Sequence, residues 1–251
     1  MALHHLLFWT PAAVVFDCDG TLMNTECHWV EARQRVLDDV GLELPADFAE
    51  RAKGLHYSAC GRLMADEAGR PELGADLAAR LLRHFGALVS DRPLTMPGAR
   101  EMVEAAAAYG PLAVASNCPR EVVEASLDTA GLLHHFRAVV VPDEKIRPKP
   151  DPDVYLAAAG HCGTDPADTL AVEDTHCGIL AAVRAGMRVL GVGPWPGKDT
   201  AGLADLWVET LAAPRTGGRA AEQDRDCSAA TVPRRAAVPP PGGNGTAAVA
   251  R

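Results

Sequence analysis

The sequence predicts an α/β fold, a doubly wound parallel sheet with an inserted helical cap domain and a disordered C-terminal tail. Three observations predict it. A short apolar run, Val14-Val15-Phe16, leads directly into Asp17-Cys18-Asp19-Gly20-Thr21; from Glu26 to Arg92 strand signals give way to helical ones; and after Pro97-Gly98 helical and strand-like segments alternate. Alternation of that kind builds a parallel sheet with helices on both faces.

The first strand is short, apolar and β-branched, as a strand buried on both faces must be. It ends in two acids and a glycine, at the sheet rim where open α/β folds keep their chemistry. Acids one residue apart point to opposite sides of a continuing strand, but a turn at Gly20 can fold Asp19 back beside Asp17. Two crowded carboxylates repel each other and need a cation. Magnesium suits them, because it takes hard oxygen ligands and keeps room for water and a phosphate. A calcium loop over Asp17, Asp19, Gly20, Leu22 and Glu26 is the competing reading. It would place Val15 where the first oxygen ligand belongs, and the residues before it form a strand pattern instead of an amphipathic helix.

The helical stretch follows. Trp29, Val30, Val36, Leu37 and Val40 recur at helical spacing before Gly41, a second helix is expected over Tyr57–Ala68, and Leu77, Leu81, Leu82, Phe85 and Leu88 form one stripe within Leu73–Val89. Three or four helices are therefore expected as a cap domain over residues 26–92. It is tethered near 21–27 and 90–97, and the core domain comprises 1–25 and 93–211.

In the core, the expected helices are Ala99–Tyr109, Arg120–Ala130, Pro152–Gly160 and Gly178–Ala185. The strands that follow them are Leu112–Ser116, Ala138–Val141, Thr169–Glu173 and Arg188–Val192, with an edge strand near Leu206–Val208. Residues 212–251 contain no Leu, Ile or Phe, and 21 of these 40 positions are Ala, Gly or Pro. Such a segment cannot offset its ordering entropy and is expected to be a solvated low-complexity tail.

Composition narrows the function classes. A net charge of −9 without a basic stripe argues against nucleic-acid binding. The seven cysteines include no C-x-x-C pair, which fits neither a zinc site nor a disulfide framework and suits a reducing cytoplasm. The apolar patch in Met1–Trp9 lacks a preceding Lys or Arg and a small-residue cleavage site, and acids follow it closely. The expectation is a soluble cytoplasmic protein, with no membrane partner and monomeric.

Three later strand ends carry candidate groups. Ser116-Asn117-Cys118-Pro119-Arg120 closes a strand and opens a helix, where a hydroxyl and free N–H groups make a phosphate seat or an ordinary N-cap. Lys149 sits in Arg147-Pro148-Lys149-Pro150, whose prolines stiffen the chain and would fix an ammonium near a phosphoryl oxygen or a carboxylate. Glu173-Asp174 repeats the opening theme of an apolar strand ending in two acids and would complete a magnesium site, although Asp174 could also serve as a helix cap.

Taken in order, Asp17-x-Asp19-Gly20-Thr21, Ser116 after a strand, Lys149 in a Lys-Pro-x-Pro setting and Glu173-Asp174 resemble the four signatures of the haloacid dehalogenase superfamily. The match runs over about residues 12 to 210, in the branch of helical-cap phosphatases and β-phosphoglucomutase-like enzymes. The resemblance implies a Rossmann-like core and a phosphatase acting on a small phosphorylated metabolite, with a sugar phosphate first among the expected substrates. Asp17 would be the nucleophile forming an aspartyl-phosphate, and Asp19 the general acid and base. Mg2+ would be held by Asp17, the Asp19 carbonyl and Asp174, with Glu173 close by; Ser116, Asn117 and Lys149 would bind phosphate. The mutase is the alternative, because His28 and Lys53-Gly54 are similar to that subgroup. Against it, Tyr57 replaces the subgroup's arginine after that glycine, and Thr21 replaces its valine. Lys53, His56, Tyr57 and Arg62, which cluster around Gly54, are the cap residues expected near a leaving group.

Overall fold

The computed structural model describes residues 9–45, 47–91 and 94–212. The tail expected over 212–251 lies, apart from its first residue, outside them. Strands β1 (Ala13–Phe16), β2 (Leu112–Ala115), β3 (Phe136–Val140), β4 (Thr169–Glu173), β5 (Arg188–Val192) and β6 (Leu206–Val208) form one sheet in the order β3-β2-β1-β4-β5-β6. Every neighbouring pair is parallel.

The register explains why these short strands suffice. Val15 pairs with Ala113 on one side and Ala171 on the other, so β1 is flanked along its length and exposes no edge. Its residues alternate between two cores. Val14 and Phe16 join Val114 and Val172 on one face, and Ala13 and Val15 join Ala113, Ala115 and Ala171 on the other. The second face is covered by α7 (Asp153–Cys162) and α8 (His176–Arg184), whose small residues Ala158, Ala159, Ala181 and Ala182 let backbone approach the sheet closely. On the first face lie α5 (Ala99–Ala107) and α6 (Arg120–Thr129), through Val103, Val123 and Leu127.

Between β1 and α5 the chain builds α1 (Glu26–Val40), α2 (Phe48–Ala52), α3 (Tyr57–Glu67) and α4 (Gly74–Asp91). The short α2 and the four-residue α9 (Lys198–Ala201) have no separate signal in the sequence, since neither is long enough to display a period. Leu77, Leu81, Phe85 and Leu88 of α4 pack against Val36, Cys60 and Met64 in a core continuous with the first face of the sheet. Trp29 stacks on Phe85 with centroids 3.6 Å apart and planes 11° from parallel. The two chain segments that connect the helical insertion to the sheet also hydrogen-bond to each other: Asn24 N donates to Leu94 O at 2.8 Å and Met96 N to Leu22 O at 2.9 Å.

Among the described residues no helix is long and apolar enough to cross a membrane. Phe85 is fully buried and supports Trp29, so Phe85→Ala is expected to cost about 3–5 kcal/mol. A chemical denaturation midpoint unchanged from wild type would contradict this packing.

Candidate active site

The strand order reverses direction between β1 and β4, and a crevice opens there at the carboxyl ends of a parallel sheet. Asp17 N donates to Val172 O at 2.9 Å, which locks the two acidic strand ends side by side. Gly20 then turns with φ +94°, a left-handed value that side chains other than glycine resist, and a Cβ there would strike the Asp174 carboxylate. The turn predicted at Gly20 therefore also makes room for the second acidic strand end.

Lys149 ties the acids together. Its Nζ lies 2.6 Å from Asp17 Oδ1 and 2.6 Å from Glu173 Oε1, and 5.0 Å over the Tyr155 ring. Burial works against the ammonium, but Asp17 and Glu173 outweigh it and hold the Lys149 pKa well above its ordinary value. Burial likewise pushes the Asp17 carboxyl well up, Glu173 adds to the rise, and Lys149 opposes it. Asp174 is pushed up to about 7 by burial, with Lys53 opposing through a 3.0 Å contact from its Nζ to Asp174 Oδ2.

Glu173 has both oxygens engaged. Oε1 accepts from Lys149 and, at 3.2 Å, from the Tyr155 hydroxyl; Oε2 accepts from Thr175 N at 2.8 Å and Thr175 Oγ1 at 3.0 Å. Thr175 in turn accepts from Gly178 N and caps α8. Glu173 thus fixes Lys149 in place. Asp17 Oδ2, by contrast, is buried and has no hydrogen-bond partner.

Oxygens of Asp17, Glu173 and Asp174 lie within 4.8 Å of one another, a cluster that could hold a metal ion. This donor set fits a hard divalent cation: three converging carboxylates, one with an orphaned buried oxygen, and two lysines, Lys149 and Lys53, that offset only part of their charge.

Asp19 stands opposite, oriented by two hydroxyls. Thr25 Oγ1 donates to Oδ1 at 2.6 Å and Ser116 Oγ to Oδ2 at 3.2 Å. Ser116 Oγ also accepts from Cys118 N at 3.0 Å. Asn117 braces loops: its Nδ2 donates to Gly54 O at 3.2 Å and to Lys149 O at 3.3 Å, and its Oδ1 accepts from Lys149 N at 2.9 Å. Its side-chain amide is therefore committed to backbone, while the residue itself lines the cleft.

Asp17, Asp19, Asn117, Cys118, Lys149 and Thr175 floor a cleft that opens to solvent, and the helical insertion forms its other wall. Of the five insertion residues singled out in the sequence, only Lys53 lines it. His28 is buried within α1 and does not reach the cleft wall. His56 caps α3, its Nδ1 2.7 Å from Ser58 Oγ, and leans on Tyr57 with ring centroids 4.2 Å apart. Arg62 is exposed and lies over Gly74. The wall is instead made by Glu26, Trp29 and Arg33 of α1, together with Leu55 and Cys60. Tyr155 and Thr175 were also missed, since both look like core and capping residues in the sequence.

The chain belongs to the haloacid dehalogenase-like hydrolases. That family's model matches residues 14–192. Validoxylamine A 7'-phosphate phosphatase of Streptomyces hygroscopicus subsp. limoneus is 30% identical over 208 residues, covering 78% of this chain and 92% of that protein. Beta-phosphoglucomutase of Bacillus subtilis (strain 168) is 30% identical over 217 residues, covering 79% and 93%. In fold, the crystal structure of beta-phosphoglucomutase from Clostridium difficile superimposes with a TM-score of 0.72 at 19% identity, over 82% of this chain and 94% of that one.

Gly178 offers a test of the hydrolase site's inner scaffold, because a Cβ there would overlap the buried Glu173 carboxylate. Gly178→Ala is expected to destabilise the fold by about 1–3 kcal/mol and to displace Lys149. A crystal structure of the variant with the 2.6 Å Lys149–Glu173 contact intact would refute the coupling.

Proposed function

We propose that this hydrolase is a magnesium-dependent phosphomonoesterase of the cytoplasm that cleaves a small phosphorylated metabolite through an aspartyl-phosphate on Asp17. The observation that carries the reading is the buried Asp17 Oδ2 without a partner, beside Asp174 and Lys149 and facing the hydroxyl-oriented Asp19. A buried acceptor left unsatisfied is costly in a resting fold and marks a position that expects a ligand.

In this reading one Asp17 oxygen attacks phosphorus, the bond from phosphorus to the ester oxygen breaks, and Asp19 gives that oxygen its proton. Asp19, now a carboxylate, removes a proton from water as the water attacks the same phosphorus. Inorganic phosphate leaves and Asp17 is restored. Splitting one displacement into two lets a single pair of acids serve both halves. Lys149 neutralises charge gathering on the phosphoryl oxygens, and Ser116 orients Asp19 for both proton transfers. Asp17 and Asp174, with the Asp19 carbonyl suggested by the resemblance, would hold Mg2+, while Glu173 stays hydrogen-bonded beside them. Bound there, the ion would supply positive charge to the transferring phosphoryl group.

The four helices between β1 and α5 act as a cap domain in this proposal, bringing Lys53 to the strand ends and excluding bulk water. A mutase, passing the phosphoryl group to a second sugar hydroxyl, is the alternative reading, supported by the similarity to a beta-phosphoglucomutase and by Lys53-Gly54. Tyr57 and Thr21 favour water as acceptor over that alternative. Release of inorganic phosphate from sugar monophosphates separates the two readings from each other, because a mutase would convert a 1-phosphate into a 6-phosphate without net release.

Asp17→Asn is expected to abolish phosphate release while keeping a cooperative thermal transition. Turnover at the wild-type rate in that variant would remove Asp17 from the nucleophile's role. Asp19→Ala is expected to lower kcat by roughly 10²- to 10⁴-fold, the usual contribution of general acid–base catalysis. Chelation of divalent cations should silence the wild-type enzyme as well, and undiminished activity in the metal-depleted protein would defeat the magnesium reading.

A further inference from the structure

Lys149 is held at both ends. Its ammonium rests between Asp17 and Glu173, and its backbone is gripped by the Asn117 side chain, whose Oδ1 accepts from Lys149 N at 2.9 Å while Nδ2 donates to Lys149 O at 3.3 Å. The amide thereby stands in for a peptide group and pairs with both backbone groups of one residue. Nδ2 also donates to Gly54 O at 3.2 Å, 63 positions away in the chain and on the helical insertion. Turned over, the amide would set its oxygen against two carbonyl oxygens and its NH2 against an N–H, so the three contacts fix its orientation together.

Gly54 reaches the other support of Lys149 as well. It lies against Thr175, where a Cβ would come within 2.9 Å of the threonine side chain. Thr175 N and Oγ1 hold Glu173 Oε2, and Oε1 of the same carboxylate receives Lys149. Through Gly54 the insertion therefore bears on the backbone anchor of the lysine and on the scaffold of its carboxylate partner. The Lys149 loop has other anchors. Arg147 Nε and Nη2 each donate to Asp153 at 2.9 Å, and Arg184 Nη1 donates to Pro150 O at 2.8 Å. Those anchors tie the loop to α7 and α8; the Asn117 amide ties it to the insertion.

Building on the hydrolase reading, we propose that Asn117 is a positioning residue through which the seating of the insertion at Gly54 sets the place of Lys149. The amide acts on the phosphoryl group through the lysine and does not bind that group itself. With Gly54 seated, the amide is pinned and Lys149 stands where the phosphoryl oxygens need its charge. With Gly54 displaced, the amide loses a partner and the backbone of the lysine can shift. A misplacement of about 1 Å is enough to cost on the order of 10²-fold in rate.

The test joins kinetics to amide hydrogen exchange in the full-length protein. Leu55 N, which donates to Ala52 O across Gly54, reports the seat of the insertion; Asp151 N, which donates to Pro148 O, reports the Lys149 loop. In Asn117→Ala, kcat for an aryl phosphate is expected to fall roughly 10- to 100-fold with KM within about threefold of wild type. Both amides are expected to exchange at least about threefold faster in that variant. Arg184→Ala, which frees the loop but leaves Asn117 on Gly54, is expected to speed exchange at Asp151 alone. A kcat kept at the wild-type level overturns the proposal, and with a raised KM it makes the amide a phosphate ligand instead. Exchange at Leu55 that stays at the wild-type rate, or that rises equally in Arg184→Ala, overturns it too. Should Asn117→Ala fail to fold, Asn117→Asp keeps the acceptor for Lys149 N and loses both donors, and unchanged exchange at Leu55 in that variant refutes the coupling just as well. The exchange readout needs no turnover. If the wild-type protein releases no phosphate while Leu55 and Asp151 respond as expected, the hydrolase reading fails and the brace stands.

Discussion

The site rests on one electrostatic constraint. The ends of β1 and β4 bring Asp17, Glu173 and Asp174 together out of water, with Lys149 buried among them. Each of these charges would be costly to bury alone, and removing the lysine would leave uncompensated carboxylates. Lys149 is not enough: burial still drives Asp17 and Asp174 up from their usual range. The arrangement is therefore poised to take more positive charge at this rim, and it leaves Asp17 Oδ2 open for that purpose. The protein holds these acids close because β1 and β4 are direct neighbours, a consequence of the strand order rather than of any local preference of the acids.

The surrounding structure serves that balance. Glu173 is pinned on both oxygens by Lys149, Tyr155 and Thr175, and Gly178 leaves the space its carboxylate fills. Asn117 ties the Lys149 loop to Gly54, so the loop that carries the ammonium and the insertion that carries Lys53 share one brace. Gly54 approaches Thr175 so closely that a Cβ would lie 2.9 Å from the threonine Cβ. The helical insertion is thus fitted to the strand ends through backbone and small residues, and its contact with them would be disturbed by any side chain added there.

Much of this was legible in the sequence, for reasons that differ by element. Strands β1 and β4 were readable because complete burial forces a continuous apolar run, and their acids stood out because nothing structural calls for charge at the end of such a run. Tyr155 was not readable: an aromatic at helical spacing in an alanine-rich helix is ordinarily core, and it is core, with its hydroxyl turned to Glu173. Sequence proximity to Gly54 suggested His56, Tyr57 and Arg62 for the cleft. Gly54 does bring the chain to the strand ends, with φ +72°, but the residues after it start α3 and turn away, His56 as its cap. Glu26 and Arg33 share a face of α1 by their spacing alone, yet nothing in the sequence states which face of that helix looks toward the acids. That is fixed by packing of the adjoining face, through Trp29, Ala32 and Val36, in the core shared with α4.

A division of labour follows from where each group is attached. The groups proposed to handle phosphorus lie on the sheet rim, held by strand register and by buried hydrogen bonds that tolerate little change. The groups that face them lie on α1 and around Gly54, in a helical layer whose core continues that of the sheet and whose Lys53 and Gly54 meet the strand ends directly. Substitutions at Glu26 on α1 would alter the charge offered to a substrate without removing a direct contact of Lys149, whereas changes at Lys53 or Gly54 would reach Asp174 and Thr175. Relatives of similar length that include both a phosphatase and a mutase are consistent with such an arrangement, in which a stable rim is retained and the facing wall varies.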